Sequence, residues 1–310
     1  MRVLITGGAG FIGSNLVKAL ERNYPRAKVY VLDDFSSGHF KNLLNTRCEV
    51  ITGDISNKEL WDWLGKNFQF DAVFHQGAIT NTTVQDQKRM MEVNADSMRY
   101  ILSTCLYWGA KLVYASSAGV YGNSPAPMRE EEGLLPENIY GFSKLMMDRI
   151  AINFMQEHPE MKIVGLRYFN VYGPGEAYKG KTASMIYQLY RQMKEGKKPR
   201  LFKWGEQKRD FVYVEDVVRA NLLAMEKNIS GIFNIATGQA RSFNEIVSLL
   251  NKYLSTNYEP EYFDCPYDFY QNFTQADISK AKKDLGYEPM YSLEEGIKEY
   301  LERLGEDIRA

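Results

Sequence analysis

The sequence predicts an α/β fold: a doubly wound parallel sheet followed by a smaller, mixed α/β C-terminal domain. Short β-rich runs alternate with helical patterns through the first half, a glycine-rich turn joins the first run to the first helix, and the alternation breaks after about residue 170. The runs Val3 to Ile5, Val29 to Leu32, Val50 to Thr52, Ala72 to His75, Leu112 to Ala115 and Ile163 to Tyr168 read as strands. Helical stretches such as Ser14 to Asn23, Lys58 to Leu64 and Ala95 to Trp108 lie between them. Parallel strands need such crossovers, because a tight hairpin cannot return the chain in the same direction. Later, helical segments near 182–195, 215–227, 242–254 and 293–303 mix with short strands and with turns such as Cys265-Pro266-Tyr267. Phe211 to Val214 and Ile232 to Ile235 read as buried strands able to rejoin the main sheet.

Composition narrows the class. The 310 residues are 45% hydrophobic and 25% charged, with a net charge of -1, which suits a globular protein and gives no basic footprint for nucleic acid. Cys48, Cys105 and Cys265 are widely spaced and odd in number, so they form neither a disulfide framework nor a zinc pattern. No apolar run approaches the ~18 residues of a membrane span. The first strand runs from Met1-Arg2-Val3 straight into the glycine turn, leaving no room for a signal peptide. A soluble, cytoplasmic protein is expected, without metal.

Gly7-Gly8-Ala9-Gly10-Phe11-Ile12-Gly13 follows the first strand and opens the first helix. Glycines permit a tight turn and close backbone approach, so a pyrophosphate can rest on the helix N-terminus. The spacing is one residue wider at its front than the common dinucleotide fingerprint. Asp33 lies 20 residues beyond Gly13 (33 − 13), at the end of the second strand, where a carboxylate accepts ribose hydroxyls. Asp54, after the third strand, is placed to reach the adenine edge, and Gly77 and Ala78 offer small residues after the fourth. Asp33 and Asp34 repel a 2′-phosphate, whereas His39 and Lys41 offset that repulsion, which leaves NAD and NADP both open. The first part therefore reads as a Rossmann-type dinucleotide domain over 1–168 plus about 211–237. The remainder, about 169–210 and 238–310, reads as a substrate domain.

Tyr140 and Lys144 stand four residues apart in Tyr-Gly-Phe-Ser-Lys, on one face of a helix. A phenol with a pKa of ~10 is a poor base at neutral pH, and a neighbouring ammonium favours the phenolate. Alone, such a pair reads equally as a surface contact or a core tyrosine. Ser117 ends the fifth strand, where a hydroxyl can hold a substrate alcohol against the tyrosine oxygen; Ser116 reads as a turn serine bonded to backbone.

The glycine loop, Ser117 and Tyr140 to Lys144 resemble, in order and spacing, the extended short-chain dehydrogenase/reductase family. Arg167-Tyr168-Phe169-Asn170-Val171-Tyr172-Gly173-Pro174 and Arg209-Asp210-Phe211-Val212-Tyr213-Val214 extend the likeness over essentially the whole chain. The resemblance implies that Ser117, Tyr140 and Lys144 oxidise an alcohol of a nucleotide-linked sugar. It implies cofactor contacts at Gly7, Gly10, Phe11, Ile12, Gly13, Asp33, Asp34, His39, Asp54, Gln76, Gly77, Ala78, Asn94, Lys144 and Val171. It implies substrate contacts at Ser117, Asn170, Lys181, Gln188, Phe202, Arg209 and Tyr270.

Dehydratases of this family carry an acidic pair after the strand-end hydroxyl, and here Ala118-Gly119 stand instead. Gly175-Glu176-Ala177-Tyr178-Lys179-Gly180-Lys181-Thr182-Ala183-Ser184-Met185 resembles the group that epimerises ADP-glycero-manno-heptose at C6, which places a second catalytic lysine where Lys179 falls. Tyr270-Gln271-Asn272 and Phe273-Thr274-Gln275-Ala276-Asp277 resemble the same group. Tyr178 departs from it, in a place not expected to touch the chemistry. By its spacing alone, Lys179 reads first as a solvated loop lysine beside Lys181, and the resemblance reverses that reading. The group further implies bound NADP (with NAD possible), an ADP-heptose substrate, a homo-oligomer (a homopentamer by resemblance), and no nucleic-acid or membrane partner. A nucleotide-sugar 4-epimerase of the UDP-galactose type, a net reductase and a non-catalytic cofactor sensor are the alternatives.

Overall fold

The computed structural model describes residues 1–82, 86–266 and 270–307. Its first half runs β1 (Arg2–Thr6), α1 (Phe11–Asn23), β2 (Lys28–Asp33), β3 (Glu49–Thr52), α2 (Lys58–Asn67), β4 (Ala72–His75), α3 (Gln87–Met91), α4 (Ser97–Trp108), β5 (Lys111–Ser117), α5 (Ile139–Glu157) and β6 (Ile163–Tyr168). The second half continues through β7 (Asn170–Tyr172), α6 (Met185–Lys194), β8 (Arg200–Phe202), β9 (Lys208–Tyr213), α7 (Val214–Glu226), β10 (Gly231–Ile235), β11 (Ala240–Ser242), α8 (Phe243–Leu254), β12 (Glu261–Phe263) and α9 (Leu293–Asp307). Among the described residues no helix is long and apolar enough to cross a membrane.

Seven parallel strands form the main sheet in the order β10-β6-β5-β4-β1-β2-β3. Alternate residues face opposite sides, and both sides are buried, which is why these strands read as apolar runs. Val3, Ile5, Val31, Val113 and Leu166 belong to the core that includes α1 and α7 residues. Leu4, Tyr30, Leu32, Leu112 and Tyr114 belong to the opposite core, shared with residues of α2, α4 and α5. Side chains set the helix starts: Asn57 caps α2, Asn138 caps α5 through the Gly141 amide, and Ser242 with Glu245 forms a capping box on α8.

Ile232 to Ile235 joins the main sheet beside β6, as expected. Phe211 to Val214 does not. It lies in β9 and the start of α7, and β9 pairs with β7 and β11 in a separate three-stranded sheet. Burial made it look like a main-sheet strand, but that burial comes from packing beneath α7, α8 and α9. β8 and β12 form a further pair in the substrate-side region. The turn expected at Cys265 to Tyr267 ends on a residue outside the described ones.

A buried ion pair joins sheet to helix. Arg167 on β6 donates through Nε to Asp148 on α5 at 2.9 Å, both side chains at most 2% exposed. Its Nη1 donates to the Tyr121 hydroxyl at 2.9 Å and to the Glu130 carbonyl at 2.8 Å. Tyr114 on β5 donates to the other Asp148 oxygen at 3.0 Å. A paired and fully bonded buried charge is tolerated, whereas one stripped of its partner costs ~3–5 kcal/mol. Arg167→Leu is accordingly expected to lower the free energy of unfolding in urea by about 3–5 kcal/mol. Adding Asp148→Leu should recover part of that loss, and a single-variant loss below about 1 kcal/mol would contradict the assignment.

Candidate functional site

The strand order reverses at β1, with β2 on one side and β4 on the other, and two adjoining clefts open at the strand ends there. The larger, about 590 Å³, is lined by Gly7, Gly10 and Gly13, by Asp33 and Asp34, and by Gln76, Gly77 and Ala78. Its glycines have no room for side chains: a Cβ on Gly13 would lie 2.2 Å from the Gly7 carbonyl, and one on Gly7 would lie 2.6 Å from Gly77. Gly7 also has a φ of +66°. Gly10 begins α1 without any side-chain cap, and the first turn carries no acid, so its amides suit an anion. The Asp33 carboxylate accepts from the Ala9 amide and the Phe35 amide, each at 2.9 Å. Burial pushes its pKa up, against those two bonds. These residues fit a dinucleotide.

Several expected cofactor contacts sit differently. Asp54 is not on the cleft wall: its carboxylate is bonded to Ser56 and paired with Arg89, and Arg89 lines the cleft instead. Asn94 is fully buried behind the wall, where it bonds both the amide and the carbonyl of Ile79 and the Ser143 hydroxyl. His39 stands at the rim, stacked on Tyr178. Val171 lines the smaller cleft, and Phe11, Ile12, Gln76 and Ala78 line both. Motif reading missed Arg89, Ser36, Ser37 and Thr182 on the larger wall, since none stands in a recognisable pattern.

The smaller cleft, about 380 Å³, brings together Ser117, Tyr140, Lys144, Asn170 and Lys179. Close backbone approach sets Ser117 against Tyr140. A Cβ on Gly141, beside Tyr140, would lie 2.3 Å from the Gly119 carbonyl, so α5 abuts the turn that follows β5. The Ser117 oxygen accepts from the Gly119 amide at 3.0 Å. Burial raises the Tyr140 phenol above its ordinary value, and the neighbouring Ser117 hydroxyl acts in the opposite direction. The lowering expected from Lys144 is not what acts on the phenol here. The Lys144 ammonium donates to the Ala115 carbonyl at 2.7 Å, and burial lowers its own pKa to about 8 against the pull of Asp148. Ser116 also departs from expectation: its Oγ is buried with no hydrogen-bond partner among the described residues.

Lys179 lines both clefts, and its ammonium lies 5.6 Å from the centre of the Phe11 ring. Burial lowers its pKa, and the Glu176 carboxylate partly reverses that. It is therefore not a solvated loop lysine. Lys181 is exposed and lines neither cleft. Gln188 uses its amide to bond the Ala183 and Lys181 carbonyls, at 2.7 and 3.3 Å, so it braces the turn. Arg209, Phe202 and Tyr270 form their own cluster. The guanidinium lies 4.9 Å from the Tyr270 ring and 5.8 Å from Phe243, and Phe243 lines the smaller cleft.

Residues 3–236 match the NAD dependent epimerase/dehydratase family. The chain is 47% identical to Helicobacter pylori ADP-L-glycero-D-manno-heptose-6-epimerase, covering 98% of this chain and 96% of that one, with a TM-score of 0.91. It is 34% identical to Thermotoga maritima UDP-glucose 4-epimerase, solved with UDP-glucose, over 99% and 100% of the two chains, at a TM-score of 0.92. It is 30% identical to MoeE5, solved with UDP-glucuronic acid and NAD, over 98% and 100%, at a TM-score of 0.84.

Lys144 provides a direct test of the site's electrostatics. An ammonium lowered from 10.5 to about 8 is expected to titrate near pH 8 in lysine-labelled NMR spectra. The unfolded chain then holds more protons than the folded one between about pH 8 and 10.5, so this group makes folding more favourable as pH rises through that window. A midpoint at the ordinary lysine value, in a signal lost from Lys144→Met, would refute the burial argument.

Proposed function

The chain belongs to the NAD dependent epimerase/dehydratase family, and from that premise we propose that it is an ADP-glycero-manno-heptose 6-epimerase. It interconverts ADP-D-glycero- and ADP-L-glycero-D-manno-heptose for lipopolysaccharide core synthesis, as a cytoplasmic homo-oligomer. The observation that carries this reading is Lys179, which faces the same cleft as Ser117, Tyr140 and Lys144. The 47% identity to the Helicobacter pylori enzyme supports it.

Gly7 to Gly13, Asp33 and Lys144 would hold a nicotinamide dinucleotide, which would supply reversible hydride acceptance for the C6 alcohol with no net redox change. Ser117 holds the alcohol oxygen beside Tyr140, and Tyr140 takes its proton as general base. The Ser117 hydroxyl beside the phenol favours the phenolate. Inversion requires C6 to present its other face, and that rotation carries the oxygen away from Tyr140. Lys179 serves the oxygen at its new place, with a pKa lowered by burial toward the working range. Arg209 suits the diphosphate, because a guanidinium matches its oxygens in a planar fork. Asn170, Phe202 and Tyr270 complete the nucleotide-sugar site, whereas the exposed Lys181 stands outside it. We take NADP as the resident form and NAD as the alternative; the dinucleotide freed on denaturation distinguishes them.

A UDP-sugar 4-epimerase is the second reading, favoured by the Thermotoga maritima relative and needing only Ser117, Tyr140 and Lys144. Purified protein incubated separately with each ADP-heptose epimer and with UDP-glucose is expected to interconvert the heptoses and leave the UDP-sugar unchanged, as followed by NMR. The opposite result would install the second reading. Lys179→Met is expected to slow heptose epimerisation about a hundredfold to ten-thousandfold, the ordinary worth of a general acid–base group. Turnover equal to that of the unaltered enzyme would remove Lys179 from the mechanism.

A further inference from the structure

The dinucleotide cleft has two walls that are far apart in sequence. Ser36, Ser37 and Gly38, in the loop after β2, form one side, and Tyr178, Lys179 and Thr182 form another. Each wall is firmly based. The His39 amide donates to the Ala9 carbonyl at 3.0 Å, the His39 ring accepts from the Lys41 amide at 3.2 Å, and Asn42 donates to the Ala9 carbonyl at 3.0 Å. These bonds fasten the first loop to the glycine turn. On the other side, the buried Glu176 carboxylate accepts from the Gly173 amide at 3.1 Å and from the Ser184 amide and hydroxyl at 2.5 and 2.9 Å. That carboxylate clamps the two ends of the 177–182 turn together.

The tip of that turn is held differently. Tyr178 is 45% exposed, Gly180 takes a φ of +57°, and the turn's internal bonds, Lys179 amide to Glu176 carbonyl and Thr182 hydroxyl to Lys179 carbonyl, are local. Asn42 of the first loop donates to the Gly175 carbonyl at 3.4 Å, at the base of the second wall, and what joins the tip itself to the first loop is a ring stack. Tyr178 lies flat on His39, with ring centroids 3.9 Å apart and planes 8° from parallel. Phe40 also stacks on this imidazole, at 4.8 Å and 24°. A small exposed stack of this kind is worth far less than the clamps at its base, so it is where this junction opens first.

We propose that the His39–Tyr178 stack is a latch that closes the dinucleotide cleft across its two walls and, through the next residue in the turn, positions Lys179. Opening the stack frees the tip of the 177–182 turn, and the dinucleotide leaves through the gap between the loops. The same opening removes Lys179 from the junction of the two clefts. An enzyme that returns its hydride within each turnover has no need to exchange cofactor, so a latch that retains it costs no turnover. Tyr178 is then a positioning residue, although its side chain takes no part in the chemistry. The link to Lys179 rests on the epimerase reading, whereas retention of the dinucleotide does not.

The test begins with the intact protein loaded with NADPH or NADH, whichever it retains, and chased with an excess of the oxidised form while nicotinamide fluorescence is followed. Tyr178→Ala and His39→Ala are each expected to release the reduced dinucleotide about twofold to tenfold faster, the worth of one aromatic pair. Tyr178→Phe and Tyr178→His, which keep a flat ring, are expected to stay near the original rate. Release from folded Tyr178→Ala, as judged by circular dichroism, at the original rate would overturn the latch. So would loss of retention in Tyr178→Phe. With dinucleotide saturating, Tyr178→Ala is expected to lower kcat for the sugar nucleotide with little change in KM. An unchanged kcat would overturn the positioning role. If release accelerates while even the unaltered protein turns over no heptose, the latch stands and the epimerase reading falls.

Discussion

The Arg167–Asp148 pair is the constraint on which the arrangement of this molecule depends. It fixes α5 against β5 and β6 inside the sheet–helix interface, and α5 carries Tyr140 and Lys144 about two turns and one turn upstream of Asp148, respectively. The same guanidinium reaches the Tyr121 hydroxyl and the Glu130 carbonyl, which belong to the segment following Ser117. One buried charge thereby sets the helix bearing the phenol relative to the strand end bearing the serine. The desolvation cost of that charge is met by three directed bonds, which favour a single geometry over many loose ones.

Above this foundation, distances are set by missing side chains. Gly141 against Gly119 and Gly13 against Gly7 bring backbone to backbone at separations that an alanine methyl could not share. The first contact brings Ser117 and Tyr140 onto one cleft wall, and the second draws the loop back so that the start of α1 is left open to the cleft. Polar ties fill the remaining joints. Gln76, Tyr168 and Asn221 bond one another in a closed triangle beneath the point where the clefts meet.

Much of this was legible in the chain. The parallel sheet could be read from strand–helix alternation, and Ser117, Tyr140 and Lys144 from their order, because both depend on local pattern. Three kinds of feature were not legible. The separate sheet containing β9 was hidden because burial, whatever its source, writes the same apolar run into a sequence. Arg89, and not Asp54, lines the cleft; it pairs with Asp54 across 35 residues of sequence, and no spacing rule announces it. The direction of the Tyr140 shift was misjudged because the sequence shows Lys144 nearby but not that its ammonium is turned to the Ala115 carbonyl, nor how deeply the phenol is enclosed. Lys179, ambiguous by spacing and given a role by resemblance, lines both clefts.

Lys179 and Thr182 are walls of two rooms at once, the one that fits a dinucleotide and the one that holds the tyrosine. A shared wall makes the two occupancies thermodynamically inseparable. Any shift of that turn favoured by one ligand alters the affinity for the other, and reciprocity requires the factor to be the same in both directions. The molecule therefore has the means for cooperativity inside a single chain, with no second subunit needed to transmit it.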